Sequence, residues 1–238
     1  NNVRMNKSIN TNIDEVLHKG TTPLDPSRFK ELSDQKDVLV IDTRSKEAYS
    51  TEGTVPGAWY IGIDGSFAPW VGALVSDINQ KIIFITDDEL RVHEIVTRFS
   101  RVGYDNTIGY LDGGIANWKS QGYQLDFIKS ISATKFAAML TEEKIEKPID
   151  VRKESEYFSE HVIGVENFPL DDIHSNFKKI NLEKDYFLHC KSGYRSLIAA
   201  SIFKANGVKQ VTNIEGGFKE IIKTKIQLSE FVCPTTLM

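Results

Sequence analysis

The chain has 238 residues, 40% hydrophobic and 26% charged, with a formal net charge of −4. That composition excludes disordered and collagen-like chains, leaves room for two buried cores and, with no basic block, argues against nucleic acid as a partner. No apolar run approaches the ~18 residues of a membrane span, and the opening Asn-Asn-Val-Arg-Met-Asn-Lys-Ser is no signal peptide, so no membrane partner is expected.

In chain order, Asp25-Pro26 marks a helix start, with Phe29 and Leu32 behind it at helical spacing. Val38–Asp42, a short apolar run closing on Asp42-Thr43-Arg44, predicts a buried strand. Ile82–Thr86 predicts another, followed by a helical pattern over Arg91–Val102 that stops at Gly103. Thr107–Tyr110 predicts a further strand, and Gly113-Gly114 opens a helix. The series then starts again. Ser132 caps a helix carrying Phe136 and Leu140, and Pro148–Val151 is a strand running into Asp150-Val151-Arg152. Tyr186–Cys190 is a strand, Arg195–Asn206 a helix stopped by Asn206-Gly207, Gln210–Ile214 a strand, and Gly216-Gly217 opens the last helix.

The two series are one unit written twice. Ile41-Asp42-Thr43-Arg44 recurs as Ile149-Asp150-Val151-Arg152, 108 positions later, and Tyr49 and Tyr157 keep that offset. Gly57 pairs with Gly164, Arg91 with Arg195, and Leu111-Asp112-Gly113-Gly114 with Ile214-Glu215-Gly216-Gly217. A period that long means a duplicated domain rather than a solenoid. The expected architecture is α/β: two tandem domains, each a mostly parallel sheet flanked by helices. The expected division is a leader or linker over 1–24, a first domain over 25–126 and a second over 127–238. Ligands of parallel sheets bind at the carboxyl ends of the strands, here after Thr86 and after Leu188.

Only one of those two places carries a cysteine. His189-Cys190-Lys191-Ser192-Gly193-Tyr194-Arg195-Ser196 joins a strand to a helix N-terminus. Backbone N–H groups of such a loop converge on one point and favour negative charge on the sulfur or on an anion held there. Lys191 and Arg195 add positive charge, and Gly193 lets the backbone curl. The plainer alternative is an inert cysteine closing a strand. Cys233, in Phe231-Val232-Cys233-Pro234, is a second thiol, and two cysteines make no disulfide framework, so a reducing, cytoplasmic setting is expected. The five histidines form no His-x-His or His-Glu-x-x-His pattern, and neither metal nor cofactor is expected.

Cys190-x-x-Gly193-x-Arg195, with Asp150-x-Arg152 upstream and Glu215-Gly216-Gly217 downstream, resembles the rhodanese family of sulfurtransferases. The likeness extends more weakly over the first copy. It implies that Cys190 takes sulfane sulfur from thiosulfate or glutathione persulfide, holds it as a persulfide and passes it to a thiol or cyanide. Lys191, Ser192, Gly193, Tyr194 and Arg195 would form the cradle, with Asp150 and Arg152 as a supporting or purely structural pair. Phosphatase-type loops place five residues between cysteine and arginine; here there are four, so sulfur transfer leads and phosphatase or arsenate reductase chemistry is the alternative.

The first copy reads Thr86-Asp87-Asp88-Glu89-Leu90-Arg91 at the same place, a threonine followed by three acids, and is expected to be inactive. Gly62-Ile63-Asp64-Gly65-Ser66-Phe67-Ala68-Pro69-Trp70-Val71-Gly72 is a further signature. With Asn6-Lys7, Asp14-Glu15-Val16-Leu17 and Gly20, it resembles the tail of metallo-β-lactamase-fold persulfide dioxygenases fused to rhodaneses. That resemblance implies a preceding metallo-β-lactamase-fold domain, and a second alternative in which this pair is its docking module. Trp59, Trp70 and Trp118 are expected as core or interface anchors.

Overall fold

The computed structural model describes residues 12–233, so Asn6, Lys7 and Pro234 lie outside the described residues. The chain divides between Phe127 and Ile128 into two compact units.

The first unit contains β1 (Pro23–Leu24), β2 (Val38–Asp42), β3 (Trp59–Tyr60), β4 (Lys81–Ile85) and β5 (Thr107–Leu111). They form one sheet in the order β1-β5-β4-β2-β3, every pair parallel. Its helices are α1 (Ile13–Gly20), α2 (Pro26–Ser33), α3 (Lys46–Glu52), α4 (Phe67–Leu74), α5 (Val92–Ser100) and α6 (Gly114–Ser120). The second unit repeats the plan with β6 (Lys129–Ile131), β7 (Lys147–Asp150), β8 (Glu166–Asn167), β9 (Asp185–His189) and β10 (Gln210–Ile214), ordered β6-β10-β9-β7-β8 and all parallel. Around it lie α7 (Ala133–Thr141), α8 (Glu154–Ser159), α9 (Ile173–Asn176), α10 (Tyr194–Ala205) and α11 (Phe218–Ile221).

Local chemistry accounts for these elements. Asp25 caps α2 by accepting from the N–H groups of Ser27 and Arg28, with Pro26 in the first turn. Ser132 caps α7 through the Lys135 N–H. Ile82, Ile83, Phe84 and Ile85 in β4 are fully buried, as a parallel strand covered on both faces requires. Each unit has its own core, around Phe29, Ile83 and Trp118 in the first and around Phe136, Phe187 and Ile221 in the second.

Two expectations change. Residues 12–24, set apart from the sequence as a leader, supply α1 and the edge strand β1 of the first sheet. Val16 and Gly20 are buried, and a methyl group on Gly20 would lie 2.6 Å from Val96 Cγ1 on α5. The strands β4 and β9 also end one residue earlier than predicted, which leaves Thr86 and Cys190 as the first residues of their loops.

Candidate active site

Cys190 follows β9 directly and faces the N-terminus of α10, whose Ser196–Phe203 stretch is wholly buried. The thiol itself is buried, 1% exposed, at the floor of the loop. Gly193 adopts φ +95°, and its N–H donates to Cys190 Sγ at 3.2 Å. A β-carbon side chain is strained at that φ, so glycine permits the turn that aims this amide at the sulfur. The first-turn N–H groups of a helix have no carbonyl partner within it, so the end of α10 favours negative charge on Sγ. Lys191 and Ser192 are exposed on the rim, and Tyr194 is half-buried.

The other side of the loop is braced by the Glu215-Gly216-Gly217 turn. The Phe218 N–H donates to the Cys190 carbonyl at 2.7 Å and the Lys219 N–H to the Lys191 carbonyl at 3.1 Å. For those bonds to form, Gly217 must lie against the loop backbone. A Cβ there would stand 2.3 Å from the Cys190 carbonyl oxygen. Its φ of +57° and ψ of −150° fall in a region that essentially only glycine occupies.

Arg195 lies near enough to Cys190 for the two to interact electrostatically, and it is also paired with a carboxylate. Its guanidinium forms a fork on Glu156 of α8, Nη1 to Oε2 at 2.5 Å and Nη2 to Oε1 at 2.9 Å. Burial works against the charge on both partners but is outweighed: the Glu156 carboxylate raises the arginine, and the Arg195 fork holds Glu156 below the usual carboxylate range. Lys191 is an exposed cation of the cradle, and the half-buried Arg195 also ties the loop to α8 through Glu156.

Asp150 and Arg152 do come together, beneath the loop rather than in it. Arg152 donates from Nε and Nη2 to the Asp150 carboxylate at 2.6–3.0 Å and from Nη2 to the Glu160 carbonyl at 2.8 Å. Its guanidinium also lies 3.9 Å from the centre of the Phe218 ring. The cysteine-less copy builds the same corner, with Arg44 on Asp42 and on the Gly53 carbonyl. A pair present with and without the cysteine is a corner of the fold.

His189 is buried between Phe136 and Phe218, with Nδ1 3.4 Å from the Cys190 carbonyl oxygen and 3.8 Å from Asp150 Oδ1. Its Nε2 is buried without a hydrogen-bond partner among the described residues. Desolvation pushes the imidazole below its ordinary value of 6.5, so it is neutral at pH 7.

Beside the rim, Lys191, Glu156, Arg152, Phe218, Ile222 and Phe231 line a cavity of about 280 Å³. The C-terminal segment brings Phe231 there: the Val232 N–H donates to the Ser159 carbonyl at 2.8 Å, and Ser159 Oγ donates to the Val232 carbonyl at 2.8 Å. Cys233 follows, exposed.

The corresponding loop of the first unit is closed from within. Thr86 Oγ1 accepts from the Asp88 N–H at 3.2 Å, Asp88 Oδ1 from the Leu90 N–H at 3.0 Å, and Glu89 Oε1 from the Gly113 N–H at 3.3 Å. Acidic side chains thus occupy amides where an anion would need them. Arg91 is drawn to Asp64 and Glu94.

Residues 25–121 and 132–224 each match the family described as Rhodanese-like domain. The chain belongs to that family. Among curated proteins, it is 31% identical over 98 residues to the uncharacterized protein YqhL of Bacillus subtilis (strain 168), covering 41% of this chain and 75% of that one. It is 30% identical over 93 residues to the putative sulfur carrier protein YrkF of the same organism, covering 39% of this chain and half of that one. Among solved structures, a rhodanese-like domain protein from Staphylococcus aureus is 26% identical, with TM-score 0.39 over 43% of this chain and 100% of that one. A thiosulfate sulfurtransferase from Pseudomonas aeruginosa is 16% identical, with TM-score 0.38 over 89% of this chain and 44% of that one. The rhodanese-like matches cover both copies, with and without the cysteine.

The sequence reading did not single out Glu156, Ser196 or Asn213 as site residues. Comparing the copies position by position provides the signal: where the second unit has these three, the first has Ala48, Val92 and Tyr110.

Proposed function

We propose that the second rhodanese-like unit is a sulfurtransferase that carries sulfane sulfur as a persulfide on Cys190. The observation that supports this most directly is the Gly193 N–H bonded to a buried sulfur at the N-terminus of a twelve-residue helix. In the first half-reaction the Cys190 thiolate attacks the outer sulfur of thiosulfate or glutathione persulfide. The donor's S–S bond breaks, sulfite or glutathione thiolate leaves with the bonding pair, and a Cys190 persulfide forms. In the second, a thiolate or cyanide attacks the outer sulfur and Cys190 departs as thiolate. Loop amides favour the negative charge on sulfur at each stage. Lys191, Ser192, Gly193 and Tyr194 line the cradle; Arg195 holds it in shape from Glu156, and Asp150 with Arg152 supports it from below.

In this reading the first unit takes no part in the chemistry. The order of a cysteine-less copy before an active one, together with the Gly62–Gly72 stretch, supports a pairing with a metallo-β-lactamase-fold persulfide dioxygenase domain. Two cysteines in 238 residues make no disulfide framework, which supports a reducing, cytoplasmic setting.

The test is the intact mass of the protein, without reductant, after incubation with thiosulfate or with glutathione persulfide. The expected result is a gain of one sulfur atom that cyanide removes and that Cys190→Ser abolishes. No gain from either donor, or an undiminished gain in Cys190→Ser, would overturn the proposal.

A further inference from the structure

Behind the cysteine runs a line of polar side chains, buried at Ser196 and Asn213 and half-buried at Ser130, that the loop does not need in order to fold. Ser196 Oγ, fully buried on the first turn of α10, lies 3.6 Å from Cys190 Sγ and 2.7 Å from Asn213 Oδ1 on β10. The Asn213 amide, 6% exposed, lies in turn 3.5 Å from Ser130 Oγ on β6. Buried hydroxyl and amide groups are costly beside aliphatic ones unless every polar atom is paired.

The duplicated unit shows that this fold does without them. By the register of the two sheets and the spacing of the two loops, Cys190, Ser196, Asn213 and Ser130 correspond to Thr86, Val92, Tyr110 and Pro23. Val92 and Tyr110 are also buried, 6% and 8% exposed, so the same places accept larger or apolar side chains. The three polar residues occur in the copy that has the cysteine and not in the other.

From this juxtaposition we infer that Ser196 is a catalytic hydrogen-bond donor to Cys190 and that Asn213, backed by Ser130, is the positioning residue that sets which way its hydroxyl points. A serine hydroxyl has one hydrogen and two candidate acceptors here. While the sulfur is a neutral thiol, the carbonyl of Asn213 is the better acceptor at 2.7 Å, and the hydroxyl donates to it. When the sulfur becomes a thiolate, a hydrogen bond to the charged atom is the stronger one, and the hydroxyl turns to Sγ. The amide of Asn213 is built to follow. Turned over, its NH₂ donates to Ser196 Oγ and its oxygen accepts from Ser130. No covalent bond is made or broken in this relay; the Ser196–Asn213 and Asn213–Ser130 hydrogen bonds reverse direction as the hydroxyl turns to Sγ.

The consequence in turnover, which rests on the sulfur-transfer reading, is stabilisation of Cys190 as nucleophile in the first half-reaction and as leaving group in the second. The thiolate chemistry alone does not depend on that reading. The test is therefore alkylation of Cys190 by small, uncharged iodoacetamide at neutral pH, followed on the Cys190 peptide by mass spectrometry, with folding checked by circular dichroism.

Ser196→Ala is expected to slow alkylation about tenfold or more, the loss of a hydrogen bond to a charged group. Ser196→Thr, which keeps the hydroxyl, should restore most of the rate. Asn213→Asp, whose carboxylate holds the hydroxyl permanently, should slow it as Ser196→Ala does. The double change Ser196→Val with Asn213→Tyr copies the first unit, leaves no buried amide unpaired and keeps a folded comparison available should Ser196→Ala unfold. It should be as slow as Ser196→Ala. Folded Ser196→Ala or the double variant alkylating at the parent rate overturns the inference, as does an equal loss in Ser196→Ala and Ser196→Thr. Sulfur loading from thiosulfate, measured on the same variants, separates the two proposals. Slow alkylation in the variants with no loading even in the parent protein keeps the hydrogen-bond inference and removes the sulfurtransferase reading.

Discussion

Arg195 brings its positive charge to the loop already matched by Glu156, and the donor bears the consequence. Thiosulfate is a small dianion, and the carboxylate of Glu156 stands at the edge of the cavity that Lys191 shares. The pair is part-buried, with side chains 16% and 30% exposed, so solvent screens it and a modest effect is expected. Glu156→Gln removes the negative partner and should raise kcat/KM for thiosulfate by about threefold to tenfold, with a smaller change for glutathione persulfide. Arg195→Ala leaves Glu156 facing the cradle alone and should lower thiosulfate turnover by about tenfold or more. Steady-state kinetics with both donors checks this. If the two variants move thiosulfate turnover in the same direction, charge at this pair is not what selects the donor. Glu156 was legible only in part. Its type and spacing are ordinary for a helix, and its meaning appears when Ala48 is set against it in the other copy.

At the level of elements, the loop is held in shape by the turn that follows β10 as much as by its own residues. Gly217→Ala places a methyl group 2.3 Å from the Cys190 carbonyl oxygen in a backbone region essentially reserved for glycine. It should cost about 2–4 kcal/mol of stability and abolish sulfur loading, because the Phe218 and Lys219 N–H groups can no longer brace the loop. Gly164→Ala, at φ +83° but with nothing within 4 Å of the added methyl, should cost only about 1 kcal/mol and leave loading intact. Denaturant melts of the two variants distinguish packing from backbone strain.

The strand β9 also makes the second unit sensitive to acid. His189 is held neutral in the core below its ordinary value of 6.5, so between that value and its folded value the unfolded chain binds more protons than the folded one. Its contribution to stability is complete above pH 6.5 and is lost as pH falls below it. His189→Phe, flanked by Phe136 and Phe218, should flatten that dependence, which thermal melts from neutral to mildly acid pH would show. The long strands were readable because apolar runs bounded by Asp-x-Arg or by a helical pattern have few other folds open to them. Two-residue strands such as β1, β3 and β8 contain no period to detect. The short α1, capped by Asn12, has ordinary helix signals, but Asp14-Glu15-Val16-Leu17 precedes the first strand and shares no pattern with the second copy that would tie it to the sheet.

Across the whole chain, duplication has given one fold two electrostatic outcomes. The two sheets share strand order and the two Asp-x-Arg corners share an arginine–carboxylate fork, and the copies differ sharply in the loop and in what stands behind it. In the first unit Asp88 satisfies the Leu90 amide of the loop and Glu89 the Gly113 amide of the turn after β5, Thr86 replaces the thiol, and Val92 and Tyr110 stand at the positions of Ser196 and Asn213. Adding a nucleophile alone leaves the other obstacles in place. Thr86→Cys in a Cys190→Ser background should therefore gain no sulfur from thiosulfate. Replacing Thr86–Leu90 by the Cys190–Tyr194 sequence, residue for residue, frees the amides and returns a glycine to the position of Glu89. That graft should load sulfur slowly. Adding Val92→Ser and Tyr110→Asn should raise its loading rate about tenfold, since the hydroxyl then has both the sulfur and the amide to answer to. Intact mass against time on the three proteins decides the order of causes. Loading by Thr86→Cys alone would mean that the acidic loop is no barrier, whereas a graft indifferent to the added pair would return Ser196 and Asn213 to the ranks of packing residues.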